Sequence, residues 1–295
     1  MDYRDKVFLK VAENLSFTKA AKELFISQPA VTKHIKELES RLKTSLFERK
    51  GNQIFLTRSG KLTYDYLVNI ARLYDDLYFE IGRLNKHFKG HLKIGASSTI
   101  AQYVLPKVLA GFHKPYPNIE LFMYNGNSFQ MEQKLLEGKI DLALVENNTS
   151  HPDLKYIDFL DDELLIVTGK NSVFAKQKNI SLKALYKIPI ILREKGSGTL
   201  EVIKNAFQQK NIDFQQLNIL IHLGSTEAIK NFLVNFNGIA ILSEKSIEKE
   251  LQLKELHIIR IKQLHITRRF RIAHKYGHLP AIPQLFLNYL ERYNF

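Results

Sequence analysis

The chain has 295 residues, 45% hydrophobic and 25% charged, a balance ordinary for a globular protein and long enough for more than one packed domain. It contains no cysteine, which excludes disulfides, thiolate metal sites and thiol redox switches. Its formal charge of +13 points to a polyanionic partner, and the density is highest in residues 1–60, with twelve Lys and Arg against seven Asp and Glu.

The opening MDYRDKVFLKV carries charges at Asp2, Arg4, Asp5 and Lys6, where a signal peptide needs an apolar run. No stretch approaches the ~18 apolar residues of a membrane span. The expectation is a cytoplasmic protein with no membrane partner. A first helix over about Tyr3–Glu13 puts Tyr3, Val7, Phe8 and Val11 on one face. SFTKAAKELF opens a second helix, for which Thr18, also expected among the DNA-contacting residues, is taken as the cap in preference to Ser16. FIS makes a tight turn. Ser27 then caps a third helix, with Pro29 in its first turn, where a missing N–H costs nothing.

On that third helix Val31, Ile35, Leu38 and Leu42 follow the spacing of a buried stripe. Gln28, Thr32 and Lys36 form a second row, with Pro29 and Lys33 beside it. An amide, a hydroxyl and ammonium groups near a helix N-terminus suit a DNA major groove: Gln reads an adenine edge, Thr a base or phosphate, Lys a guanine or phosphate. A plain amphipathic surface helix is the competing reading; the helix, short turn and Ser-Gln-Pro start favour helix-turn-helix. Leu46–Arg49 and Gln53–Thr57 are expected to pair across Lys50-Gly51-Asn52. Arg49, Lys50 and Arg58 would make this hairpin a basic wing for a minor groove or backbone.

FTKAAKELFISQPAVTKHIKELESRLKTSLFERKGNQIFLTRSG closely resembles the N-terminal domain of LysR-type transcriptional regulators. Ala20-Ala21, Ser27-Gln28-Pro29-Ala30, Leu46-Phe47-Arg49 and Leu56-Thr57-Gly60 carry the likeness. The resemblance implies a multidomain α/β protein: a winged helix-turn-helix over 1–58, a dimerising linker helix over 59–90, and a two-lobed effector domain over 91–295, like periplasmic solute-binding proteins.

Leu62, Tyr66, Ile70, Leu73, Leu77, Ile81, Leu84 and Phe88 recur at steps of four and three, close to an 11-residue repeat and a nearly straight stripe. Such a stripe needs a lengthwise partner. A second copy fits better than the chain's own effector domain, and would present two reading helices to a pseudo-palindromic site.

Beyond Gly90 the texture becomes strand, turn, helix, four times over: HLKIGASSTIAQYVLPKVL, IELFMYNGNSFQMEQKLL, IPIILREKGSGTLEVIKNAF and LNILIHLGSTEAIKNFL. KIDLALVEN adds a buried strand. Alternation with short turns predicts a mainly parallel, doubly covered sheet. Three turns place hydroxyls or glycines where a helix begins: Ser97-Ser98-Thr99, Gly196-Ser197-Gly198-Thr199 and Ser225-Thr226. Free N–H groups and the positive helix end make these anion sites, against the plainer reading of N-capping.

The resemblance places an effector between the two lobes, roughly 91–165 with 268–295, and 166–267. It implies Ser98 and Thr99 on one side, Gly196–Thr199 and Ser225 on the other, with Asn127 and Glu146 lining the cleft. REKGSGT looks like the corresponding loop of members controlling sulfur assimilation and carbon fixation. The implied partners are promoter DNA, a homodimer or homotetramer, RNA polymerase and a small, anionic effector, with no cofactor. The effector would close the lobes and change the placement of the reading heads, and with it the DNA bend.

Chemistry of other kinds has little support. His87-x3-His91 and His274-x3-His278 are each interrupted by a glycine, no HExxH or G-x-S-x-G occurs, and Asp161-Asp162 reads as a solvated pair. An enzyme and a metal site are therefore not expected. A DNA-binding protein without effector and a solute-binding protein are the alternatives to a regulator.

Overall fold

A computed structural model describes residues 1–51, 53–84, 88–277 and 279–295. The chain divides into two compact units, Met1–His87 and Phe88–Phe295.

In the first unit, α1 (Tyr3–Asn14), α2 (Phe17–Glu23) and α3 (Gln28–Leu42) precede a hairpin of β1 (Phe47–Lys50) and β2 (Gln53–Leu56), and α4 runs over Arg58–Leu84. Val7, Phe8, Val11, Ala20, Ala21, Val31, Ile35, Leu38, Leu46 and Leu67 form its core. The alanine pair lets α2 approach closely, and Phe47 joins the core through Phe8 and Phe17. Gly60 has no room for a side chain: a Cβ there would meet Leu46 O at 2.0 Å. Thr57 Oγ1 donates to Ser45 O at 2.7 Å and accepts from Gly60 N at 2.9 Å, fastening the start of α4 to the hairpin.

Three expectations change here. Ser16, not Thr18, caps α2, accepting from Lys19 N at 3.3 Å, because the helix begins one residue before Thr18. Tyr3 is exposed, and its ring meets that of His34 edge-on at 5.2 Å. Leu42 is also exposed: at the end of α3 it lines a recess with Leu62, Tyr66 and Ile70 of α4.

The second unit comprises β3 (Gly90–Ser97), a π-turn (Ile100–Val104), α5 (Leu105–His113), β4 (Ile119–Gly126), α6 (Ser128–Leu136), β5 (Leu142–Val145) and β6 (Leu154–Gly169). There follow β7 (Ile190–Arg193), α7 (Gly198–Gln209), β8 (Ile219–Leu223), α8 (Thr226–Leu233), β9 (Ile239–Ser243), α9 (Glu244–Gln252), β10 (Leu256–Ile259), β11 (Ile266–Lys275) and α10 (Ala281–Leu290). Strand order is β4-β3-β5-β11-β6-β9-β7-β8, with β10 beside β6.

Each end of this sheet is a parallel three-stranded set, β4-β3-β5 and β8-β7-β9. Helices cover both faces: Ile190 and Leu192 pack with Ile203 and Phe207, while Ile191 between them packs with Ile229, Leu233 and Ile247. The middle is antiparallel, which the mainly parallel expectation missed. The long strand β6 leaves the first lobe, pairing β11 up to Leu164 and β9 from Leu164 onward, and β11 brings the chain back. A strand that returns a chain to its first lobe must run against the strand that left. Among the described residues, no helix is long and apolar enough to cross a membrane.

Candidate functional site

The outer face of α3 starts from its cap. Ser27 Oγ accepts from Ala30 N at 3.3 Å, and Pro29 sits in the first turn. Gln28, Pro29, Lys33 and Lys36 are exposed and Thr32 half-buried. Gln28 Nε2 donates to Thr32 Oγ1 at 3.0 Å, and that hydroxyl donates to Gln28 O at 3.1 Å. The acids nearby are neutralised: Asp2 and Asp5 by Arg41 at 3.0 and 2.8 Å, and Asp2 again by Arg4 at 2.9 Å. Lys33 and Lys36 make no ion pair among the described residues, so their charges face outward. On the wing, Arg49, Lys50 and Arg58 are exposed, with Lys50 3.1 Å from Glu48. The turn residue Asn52 lies outside the described residues. Thr18 is exposed on α2.

Along α4, Leu62, Tyr66, Leu73 and Leu77 are each more than half exposed, and Ile70 is exposed as well. A continuous apolar stripe in water is unfavourable by roughly 25 cal/mol per Å² and calls for a covering surface. The described part of the helix runs to Leu84, residues 85–87 lie outside the described residues, and Phe88 belongs to the second unit. The Phe88 ring packs edge-on to Tyr116 at 5.1 Å there.

The lobe junction of the second unit gathers most of the expected effector residues. Ser97, Ser98 and Thr99 at the end of β3, and Ser197 and Thr199 at the start of α7, are all at least nine-tenths buried. Gly198 must be glycine, since a Cβ would meet Asn147 N at 2.7 Å and Ser128 Oγ at 2.8 Å. Glu146, just past β5, is buried and accepts from Thr199 Oγ1 at 2.6 Å. Asn127 forms a capping box with Gln130 on α6 and reaches Glu194 at 3.4 Å; Gly196 lies against it, 3.1 Å from a Cβ position to Asn127 Nδ2. Ser225 is committed to its own helix, accepting from Ala228 N at 3.1 Å. Its neighbour Thr226 faces the site.

Two arginines absent from the expected set hold this junction together. Arg193, the last residue of β7, donates to Ser98 Oγ (3.2 Å), Thr226 Oγ1 (3.5 Å) and Glu194 (2.8 Å). Arg268 on β11 donates through Nε to Asp162 Oδ2 at 2.7 Å and through Nη1 to Thr199 Oγ1 at 2.9 Å and to Glu146 Oε2. Asp162 is buried and also accepts from Ser243 Oγ at 2.7 Å, contrary to the solvated reading of the acidic pair. Strand alternation sends only Asp161 to solvent, where it pairs with Arg269. Burial alone would raise the Glu146 carboxyl, but the Arg268 charge, hydrogen bonding from its neighbours and the Arg193 charge outweigh it and hold it down at about 2. Asp162 moves the other way, raised by burial against the pull of Arg268 and Ser243.

Not every polar atom here is used. Ser97 Oγ, Ser197 Oγ, Arg268 Nη2 and Glu146 Oε1 are buried and complete no hydrogen bond. Buried polar atoms without partners are costly, on the order of 1–3 kcal/mol each, so four of them converging at one junction call for a partner.

A second bridge joins the two lobes. Tyr103, on the π-turn where Pro106 follows without an N–H to give, hydrogen-bonds Glu227 of α8. Lys230 lies over the Tyr103 ring at 4.9 Å and is buried between Glu227 (2.8 Å) and Glu250 (2.7 Å). A basic residue inside a strand or helix run reads as solvent-facing, which is why sequence reasoning passed over Arg193, Arg268 and Lys230. The one visible signal was Arg193 at the carboxyl end of an apolar strand, directly before a glycine-rich turn. His87 and His278, each half of a His pair, lie outside the described residues; among the described residues no group of three His, Asp or Glu could hold a metal.

Comparison with known proteins finds two family models along the chain. "Bacterial regulatory helix-turn-helix protein, lysR family" matches residues 6–61, and "LysR substrate binding domain" matches residues 85–294. A probable RuBisCO transcriptional regulator of Trieres chinensis is 37% identical over 268 residues, 89% of this chain and 87% of its own. The HTH-type transcriptional regulator CysL of Bacillus subtilis is 32% identical over 269 residues, covering 91% and 89%. Among solved structures, the CcmR regulatory domain of Synechocystis PCC6803 in complex with 2-PG aligns at a TM-score of 0.62 with 33% identity, over 68% of this chain and 96% of that one.

Proposed function

This chain belongs to the LysR family of transcriptional regulators, and from that premise we propose that it is a cytoplasmic, non-enzymatic, promoter-binding homo-oligomer controlled by a small anion held between the lobes of residues 91–295. The winged domain over 1–58 reads DNA through Gln28, Thr32, Lys33 and Lys36, with Ser27 and Pro29 setting the helix start, while Arg49, Lys50 and Arg58 contact phosphates. The linker over 59–90 pairs two copies. The effector meets Ser97, Ser98, Thr99, Ser197 and Thr199, with Asn127, Glu146, Gly196, Gly198 and Ser225 around it.

The observation that carries the effector reading is the set of buried, unpartnered donors, Ser97 Oγ and Ser197 Oγ just before helices of opposite lobes and Arg268 Nη2 on β11. Such groups suit an anion. The relative solved with 2-PG makes 2-phosphoglycolate the first probe. A ligand that favours one lobe arrangement shifts the separation of the two reading heads, and so the DNA they can span.

The test is footprinting of the full chain on the DNA upstream of its own gene, with and without 2-phosphoglycolate, beside calorimetric titration with anions, neutral sugars and aromatic compounds. An anion should bind and move the footprint. Tight binding of a neutral compound, unaffected by Ser197→Ala, would overturn the anion reading and leave the regulator intact.

A further inference from the structure

The lobe junction has the wrong charge for a bare oxyanion. Around it stand two guanidiniums, Arg193 and Arg268, and three carboxylates, Glu146, Asp162 and Glu194. Both cations are already committed, Arg193 to Glu194 at 2.8 Å and Arg268 to Asp162 at 2.7 Å and to Glu146. An incoming anion therefore meets neutral hydroxyls, helix N-termini and one spare guanidinium N–H, with the carboxylates outnumbering the cations.

Among the unpartnered atoms, Glu146 Oε1 is the odd one. Ser97 Oγ, Ser197 Oγ and Arg268 Nη2 can donate; a carboxylate oxygen only accepts. Glu146 is 1% exposed, and its charge is kept by Arg268 of β11. Its other charged or hydroxyl neighbours include Asp162 of β6, Arg193 of β7, Thr199 of α7, Ser97 of β3 and Ser128 of α6, whose Oγ accepts from the Glu146 backbone N–H at 3.2 Å. Thr199 and Arg268 Nη1 both go to Oε2, and the Ser97 hydroxyl, which stands close enough to help hold the Glu146 carboxyl down, completes no hydrogen bond to Oε1 and is itself free to turn toward a ligand. A ligand oxygen without hydrogen, set against Oε1, would bring two acceptors together in a dry site, which is repulsive.

We propose that Glu146 selects an effector carrying a donor hydrogen on or beside its anionic group, a hydroxyl or a protonated acid oxygen, and rejects anions that have none. This rests on the small-anion reading and narrows it: the ligand class is a hydroxylated or partly protonated oxyanion. Sites built around a hydrogen bond reject analogues lacking it more strongly than apolar pockets reject a misfit, because the site's own polar atom is left unpaired. Here the unpaired atom would be Glu146 Oε1.

Inorganic phosphate, sulfate and monofluorophosphate are tetrahedral and nearly equal in size. Near pH 7 phosphate keeps an O–H, whereas the other two have none. Calorimetric titration of the full chain should give phosphate an affinity at least about tenfold above both others. Glu146→Gln, whose amide can turn to donate, should bring sulfate to within a few-fold of phosphate. Equal affinity of the wild-type chain for sulfate and phosphate would overturn the proposal. So would a folded Glu146→Gln variant that keeps the full preference. Should that variant lose its fold with the Arg268 pair, the wild-type comparison of the three anions decides alone. Absence of heat with all three, and with 2-phosphoglycolate, would count against the anion reading itself, so the two failures are distinguishable.

Discussion

Arg193 Nη2 donates to Ser98 Oγ at 3.2 Å, joining the end of β7 in one lobe to the turn after β3 in the other. A buried guanidinium that touches both lobes is sensitive to their separation. Arg193→Met keeps the length and apolar bulk and removes the bonds to Ser98 and Thr226. Without ligand, stability should fall by roughly 1–3 kcal/mol, from buried partners left unpaired. An anion at 100 times its dissociation constant stabilises the wild type by about 2.7 kcal/mol, and that shift should vanish in the variant. Thermal melting with and without 2-phosphoglycolate measures both; an undiminished ligand shift would put Arg193 outside the binding set.

On α3 the Gln28 amide is tied to Thr32 at 3.0 Å. Base reading requires that bond to open or to act as one unit. Gln28→Ala and Thr32→Ala should each cost about 1–3 kcal/mol on the specific site and far less on random DNA. Because the two groups are bonded, the double variant should lose less than the sum. Lys50→Ala and Arg58→Ala should weaken specific and random binding alike and lower the salt slope by about one each. Equal losses of Gln28→Ala on both DNAs would remove Gln28 from the base readers.

Much of this was legible because local rules govern it. Ser27 before Gln-Pro fixes the start of α3, and strand-turn-helix alternation fixes both parallel halves of the sheet. Errors came where a choice lay between neighbours or depended on distant chain. Ser16 and Thr18 are both good caps, and only the true start of α2 separates them. Leu42 fits the α3 stripe by spacing, yet its face turns to the α4 recess. Arg268 finds Asp162 at a separation of 106 residues, so nothing local could mark either as buried.

The exposed stripe of α4 makes a prediction about assembly. Replacing Ile70 and Leu77 together with Asp puts two charges on a face that water already reaches in the single chain, so the fold of one chain should tolerate them. In a paired seam the same charges would be desolvated, which is prohibitive. Light scattering should show the oligomer fall to a monomer, while circular dichroism stays unchanged. A mass equal to that of the wild type would mean that the copies pair elsewhere.

Glu146 carries a signature in acid. Its folded carboxyl is held at about 2, below the ordinary 4.5, so its contribution is present above 4.5 and lost as pH falls from there toward 2. That contribution is on the order of 3 kcal/mol. Asp162, raised by burial, works oppositely and recovers stability on acidification. The gap in melting temperature between wild type and Glu146→Gln should therefore be widest near neutrality and close below pH 4.5. Parallel curves across that range would show that the Arg268 pair does not depend on Glu146's charge.

The Tyr103 bridge should set how readily the lobes part. Its hydroxyl bonds Glu227 of the other lobe, while Lys230, pinned by Glu227 and Glu250, supports the ring. Tyr103→Phe keeps the ring over Lys230 and deletes the crossing bond, worth about 1.5–3 kcal/mol for a charged acceptor. If closure precedes tight binding, apparent affinity scales with the closed fraction, so it should drop by up to about a hundredfold. Lys230→Met would instead leave Glu250 without its buried cation and should cost roughly 3 kcal/mol of stability. The Cys-free chain allows spin labels on one introduced cysteine per lobe, at exposed Glu120 and Lys210. Their distance distribution should broaden toward longer separations in Tyr103→Phe without added ligand. An unchanged distribution, with unchanged affinity, would reduce the bridge to a surface contact.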